Sequence, residues 1–240
     1  MNPLLQLSGV ETHIGRYHIL HGVDLSVAEG RVTMLLGRNG AGKTTTLRTI
    51  MGLWRASSGE IRFAGQHVEA MTTPDIARLG LGYVPENMGV FSDLSVKENL
   101  VLAARDAPLD EARLEWIFGF FPALKKFWLS RAGNLSGGQK QMLSIARALA
   151  EPRKLLLIDE PTKGLAPAIV AALIACLADL KARGASILLV EQNFLVARQI
   201  GDDVVVMDNG RAVHWGAMAE LAADESLQHK FLGLSLDSHQ

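Results

Sequence analysis

The stretch "GRNGAGKTT", Gly37 to Thr45, sets glycines, one lysine and two threonines at the spacing G-x-x-x-x-G-K-[ST]. That spacing suits phosphate. Gly40 and Gly42 let backbone N–H groups wrap around phosphate oxygens, Lys43 supplies a point charge, and the Thr44 hydroxyl is a ligand for Mg2+. The expected lining of the loop is Gly37, Asn39, Gly40, Ala41, Gly42, Lys43, Thr44 and Thr45. A second stretch, "LLLIDEP", carries Asp159 and Glu160 at the end of an apolar run. Adjacent acids at the carboxyl end of a buried strand divide the work: Asp159 joins the Mg2+ shell, and Glu160 orients and polarises the water that attacks a γ-phosphate. Coupled to the loop, they make half of a nucleotide hydrolase.

A third stretch, "LSGGQKQMLSIARALA", opens with a Ser-Gly-Gly turn and continues with Met142, Ile145, Ala146 and Leu149 at the three-and-four spacing of a buried helix face. Ser136 is placed to cap the helix. Gly137 and Gly138 bare the helix N–H groups and positive dipole end to an anion. Yet no strand runs into this turn and it holds no lysine, so the residues alone do not say whose phosphate it takes.

These groups need elements to hold them. "RVTMLLG" is an apolar run that stops at glycine, and a helix follows the loop; "KLLLID" and "SILLVEQ" read as buried strands, "AIVAALIACLADLKARG" as a helix ended by Gly184, and "VVVMDNGRAVHWG" as a hairpin turning at Asn-Gly. Apolar strands alternating with helices predict an α/β protein with a parallel sheet covered on both faces. The first residues hold short β-like pieces, "LLQLSGVETH" and "GVDLSV". From Asn87 to Ala150 the character turns helical, with aromatics gathered in "EWIFGFFPALKKFW".

The chain has 240 residues, 48% hydrophobic and 20% charged, enough for one substantial core. A formal net charge of −1 offers no basic field for bulk nucleic-acid binding. The single cysteine, Cys176, lies in an apolar helix and reads as a core thiol in a reducing compartment. The N-terminus lacks the layout of a signal peptide, and the longest apolar run, Ala168 to Ala178, falls short of the roughly 20 residues that span a bilayer. The expectation is a cytoplasmic protein whose membrane role, if it has one, comes through a partner.

With "LSGGQ" upstream of the acid-bearing strand, the chain resembles the ATP-binding cassette family of transport ATPases over essentially its whole length. The resemblance implies a P-loop NTPase (RecA-like) core with an antiparallel β subdomain and a helical subdomain. One domain would span 1–240, with 1–86 and 151–240 forming the core and β subdomain and 87–150 the helical subdomain. It also implies that two cassettes face head to tail, so that Ser136, Gly137, Gly138 and Gln139 of one complete the phosphate site of the other. ATP and Mg2+ are the implied cofactors. The implied partners are a second cassette, transmembrane permease subunits and, indirectly, a periplasmic or extracellular solute-binding protein, with the chain peripheral on the cytoplasmic face of the membrane and no nucleic acid bound.

"GYVPENMGVFSDLSVKENL", "EPTKGLAP" and "LLVEQN" are similar to the second ATPase subunit of branched-chain amino-acid importers, which implies import of such a solute. Glu86 stands where most cassettes have glutamine, and its carboxylate would approach the metal shell. Gln192 stands where most have histidine; an amide hydrogen-bonds phosphate but does not titrate near neutrality. The aromatic that stacks on adenine in the family corresponds to Ile14, so either an aliphatic contact holds adenine or Tyr17 substitutes. Phe127 and Trp128, beside Lys125 and Lys126, belong either to the helical core or to a contact with the permease. The rival to a transport ATPase is a soluble cassette protein acting on nucleic acid or ribosomes.

Overall fold

The computed structural model describes residues 3–104 and 108–232. The expected domain span of 1–240 also takes in 1–2, 105–107 and 233–240, which lie outside the described residues. In chain order the elements are β1 (Leu5–Ile14), β2 (Tyr17–Val27), β3 (Val32–Leu36), α1 (Lys43–Ile50), β4 (Ala56–Phe63), β5 (Gln66–His67), α2 (Thr73–Arg78) and β6 (Leu81–Val84). There follow α3 (Val96–Ala103), α4 (Glu111–Phe120), α5 (Pro122–Lys126), a 3-10 turn (Ala132–Asn134), α6 (Gly137–Leu149), β7 (Leu155–Asp159) and α7 (Pro167–Ala182). The chain continues with β8 (Ser186–Val190), α8 (Phe194–Ile200), β9 (Asp203–Asp208), β10 (Arg211–Ala217), α9 (Met218–Ala223) and α10 (Glu225–Leu232).

The strands make two sheets: an antiparallel one in the order β2-β1-β4-β5, and a larger one in the order β10-β9-β3-β8-β7-β6. In the larger sheet β9, β3, β8, β7 and β6 pair in parallel and β10 closes one edge antiparallel. Because side chains alternate across a strand, each parallel strand divides its apolar residues between two cores. Met34, Leu156, Ile158, Ile187 and Leu189 enter the helical core with α3, α6 and α7. Leu35, Leu155, Leu157, Leu188 and Val190 join Leu47 and Ile50 of α1 and the antiparallel sheet's Leu5, Leu7, Leu20, Val23 and Phe63. The parallel sheet is thus covered on both faces as expected, although the second cover is largely another sheet.

Between β6 and β7, α3 to α6 gather the aromatics. Phe121 is fully buried, Trp128 packs edge-on to Phe118 with ring centroids 5.4 Å apart, and Trp116 donates to Asp179 Oδ2 at 2.9 Å. Phe127 and Trp128 are half-buried against the helical core, and the exposed apolar residue beside them is Leu129. Cys176 is fully buried, and that burial pushes its thiol up to about 12.

Candidate functional site

The register of the parallel sheet assembles the site. Asp159 pairs with Val190, Leu35 pairs with Val190, and Val84 pairs with Ile158. The four strands therefore stop at one level, and the segments that leave their carboxyl ends carry Gly37–Gly42, Glu160, Glu191–Gln192 and Glu86, the place where ligands of open α/β sheets bind.

The loop from Gly37 to Gly42 leads into α1, whose N-cap Gly42 has φ 102° and no side-chain cap. No acid lies in the first turn, so the helix's N–H groups and dipole end are left for an anion. Two of the glycines are obligatory. A Cβ on Gly37, at φ 145°, would sit 2.3 Å from the Met207 carbonyl oxygen, and one on Gly42 would sit 2.9 Å from Leu20 Cδ2. Gly40 meets nothing within 4 Å and is required only for its φ of 80°. Asn39 and Gly40 are exposed on the loop, Ala41 is buried, and Thr45 is half-buried in α1. Lys43 is buried, its ammonium donating to the Gly37 carbonyl at 2.8 Å and the Arg38 carbonyl at 3.1 Å and lying 3.7 Å from Glu160 Oε1. Burial lowers its pKa, and the carboxylates of Glu160 and Asp159 oppose the shift.

Thr44 Oγ1 donates to Asp159 Oδ1 at 3.1 Å, joining the first two motifs. Asp159 is fully buried and, among the described residues, its Oδ2 has no hydrogen-bond partner. Desolvation pushes its carboxyl up to about 6, against the Thr44 bond and with help from the charges of Glu86 and Glu160. A buried, orphaned carboxylate oxygen beside a hydroxyl is a donor set for a hard cation. No group of three or more His, Cys, Asp or Glu among the described residues is placed to hold a metal by itself. The set therefore fits Mg2+, which keeps water and takes phosphate oxygens for its remaining ligands.

Glu160 adopts φ 45°, a strained conformation for a residue with a side chain, and its N–H donates to the Val190 carbonyl at 3.0 Å. Gln192 Nε2 donates to Glu160 Oε1 at 2.5 Å. Two residues that the motifs did not mark complete the arrangement. Lys163 reaches Glu86 Oε1 at 2.7 Å and Glu160 Oε2 at 3.4 Å. Glu191, buried, accepts from the Thr162 hydroxyl at 2.8 Å and the Thr162 N–H at 3.2 Å, so the segment after β7 is pinned to the one after β8. Burial raises the Glu191 pKa against those bonds.

The third motif stands apart from this cluster. Ser136 caps α6 by accepting from Gln139 N–H at 3.3 Å, and Gln139 Oε1 accepts from Ser136 N–H at 2.9 Å. Among the described residues no hydrogen bond joins this turn to the Gly37–Thr45 loop. Gly137 has open space around it, but a Cβ on Gly138 would meet Ile169 Cδ1 at 2.2 Å. Gly138 thus also lets Ile169 of α7 pack against the turn. At the far end of the β1–β2 hairpin, Ile14 and Tyr17 form one cross-strand pair, with Tyr17 61% exposed and its ring 5.3 Å from the Arg16 guanidinium.

Residues 20–163 match the family model described as ABC transporter. The chain is 38% identical to the high-affinity branched-chain amino acid transport ATP-binding protein BraG of Pseudomonas aeruginosa, over 96% of this chain and 100% of that protein. It is 35% identical to the probable branched-chain amino acid transport ATP-binding protein LivF of Archaeoglobus fulgidus, over 90% of this chain and 93% of the relative. A solved structure described as an ATP binding subunit of an ABC transporter superposes with a TM-score of 0.81 at 32% identity, covering 98% of this chain and 96% of that one.

Proposed function

Because the chain belongs to the ABC transporter family, we propose that it is the ATP-hydrolysing subunit of a membrane transporter that imports branched-chain or related amino acids. The observation that carries the hydrolase is the Thr44–Asp159 hydrogen bond, which brings the phosphate loop and the paired acids into one site. The import of amino acids rests on the names of the similar proteins.

In this mechanism the loop N–H groups and Lys43 hold the triphosphate of ATP. Thr44 and Asp159 would hold Mg2+, with Glu86 near its shell, and the ion would draw charge from the γ-phosphate. Glu160 accepts a proton from water as the water oxygen bonds to the γ-phosphorus; the bond to the β,γ-bridging oxygen breaks, and ADP and phosphate leave. Gln192 fixes the Glu160 carboxylate through its amide N–H and carries no proton itself. Adenine is met at the end of the β1–β2 hairpin, either by Ile14 as an aliphatic contact or by Tyr17. The Ser136–Gln139 turn serves a second cassette, so that binding energy goes into closing the dimer and hydrolysis reopens it.

The described residues within 87–150 act as a helical subdomain on the core formed by those within 1–86 and 151–240, beside permease subunits. No helix among the described residues is long and apolar enough to cross a membrane. The chain then sits on the cytoplasmic face through those partners, with a solute-binding protein acting indirectly. The Glu160→Gln variant tests the hydrolase. It should keep ATP affinity and lose about 10²–10⁴-fold in turnover, the usual worth of a general base; wild-type turnover in the variant removes Glu160 from the role. Uptake of labelled leucine by vesicles carrying the whole transporter tests the solute.

A further inference from the structure

Lys163 belongs to none of the three motifs and performs no step in the mechanism above. Its side chain is 57% exposed, yet its ammonium bridges two acids on different segments, Glu86 after β6 and Glu160 after β7. The other oxygen of Glu160 already receives Gln192 at 2.5 Å and has Lys43 at 3.7 Å. Of the two lysines near Glu160, Lys163 is the one bonded also to Glu86. The Lys163–Glu86 arm is solvent-exposed and adds little stability, so the effect of Lys163 lies in the charge it places. Glu86, Asp159 and Glu160 are close enough for their charges to act on one another. Asp159 Oδ2 is buried and, among the described residues, has no hydrogen-bond partner, which leaves it for the dication that the proposed site would hold. An ammonium between Glu86 and Glu160 subtracts from the same negative field that draws that dication.

We propose that Lys163 is a resident counter-cation, positioned between Glu86 and Glu160, that weakens the hold on Mg2+ and so sets how strongly nucleotide binding depends on the metal. It is a positioning residue that acts through the two carboxylates. The inference rests on the nucleotide-site reading above, and its test separates the two. A fluorescent N-methylanthraniloyl ATP analogue is titrated into the full chain as wild type, Lys163→Gln and Lys163→Arg, each in excess Mg2+ and again in EDTA. The readout is the ratio of the two dissociation constants, a binding quantity that a general loss of packing would not move in one direction. Lys163→Gln should raise the advantage given by Mg2+ about tenfold, the order for a unit charge acting on a dication at short range through water. Lys163→Arg, which keeps the charge, should stay within about twofold of wild type. Lys163→Ala supplies a second variant that removes the charge at an exposed position. An unchanged ratio in both uncharged variants, or an arginine variant that behaves like them, overturns the inference and leaves the nucleotide site standing. Failure of the wild type to bind the analogue under either condition overturns both.

Discussion

Replacing Asp159 by asparagine should stabilise the nucleotide-free chain while removing the support that Mg2+ gives to nucleotide binding. Asp159 is fully buried, and its pKa rises from 3.8 to about 6 because desolvation opposes the charged form. A rise of that size means that keeping the carboxylate ionised at pH 8 costs the folded state about 3 kcal/mol relative to the unfolded chain. The asparagine amide would retain an oxygen to accept from the Thr44 hydroxyl and would carry no charge toward Glu86 and Glu160. For a chain of this length about 3 kcal/mol corresponds to a rise in Tm of about 6–12 °C, an upper bound. The sign with pH follows from linkage: the folded state binds the extra proton between about pH 4 and 6, so wild-type stability from this residue falls as pH rises through that window and is lowest above it. The advantage of Asp159→Asn should therefore be full at pH 8, shrink as the pH drops through 6 and be mostly gone near pH 4. Urea unfolding of both proteins at several pH values measures it. A variant less stable than wild type at pH 8, or an advantage that does not change with pH, refutes the assignment of desolvation as the cause.

Two further substitutions probe the other motifs. Gly37→Ala places a Cβ against the Met207 carbonyl at a distance no neighbour can relieve without moving backbone. It should destabilise the chain by more than about 2 kcal/mol and abolish nucleotide binding, readable together in a thermal-shift assay with and without ATP. Ser136→Arg should leave ATP affinity of the isolated chain near normal and prevent the ATP-dependent dimer. A tenfold loss of monomer affinity, about 1.4 kcal/mol, would show that the turn serves its own chain's nucleotide.

The sequence made the contiguous chemistry legible. Gly37 to Thr45 and Asp159–Glu160 are short runs whose spacing prescribes a strand, a turn and a helix, and the structure supplies β3, α1 and β7 where those runs need them. Ser136 announced itself as a cap in the same way, because capping is local. Lys163 and Glu191 were silent because what makes them matter is distant: Glu86 lies 77 residues from Lys163, and Thr162 lies 29 from Glu191. The strand β6 escaped notice because "LGYV" is a short apolar run between turns, with too few residues to show a period. The antiparallel sheet was only half visible. β1 and β2 pair through register shifts at Leu7/Val10 and Thr12/His13 that interrupt the alternation, so a long hairpin looks like scattered pieces. Gly138 shows a further limit, since the close approach of Ile169 comes from α7 and leaves no mark beside the glycine in the sequence.

The reciprocal bonds between Ser136 and Gln139 have a consequence for the speed and strength of association. In the head-to-tail dimer proposed above, the turn that a second cassette would meet is folded before that cassette arrives, since its cap and its side-chain amide already satisfy each other. Loops that order only on contact subtract roughly 0.5–1.5 kcal/mol for each immobilised side chain from the affinity they create. Here that entropy is lost once, during folding. Encounter then needs no search by this surface, and the remaining open Gly137 position leaves the approach unobstructed. In that proposed dimer the lifetime of the closed pair would rest with the nucleotide between the two faces, and cleavage of that nucleotide would be a sufficient signal for separation.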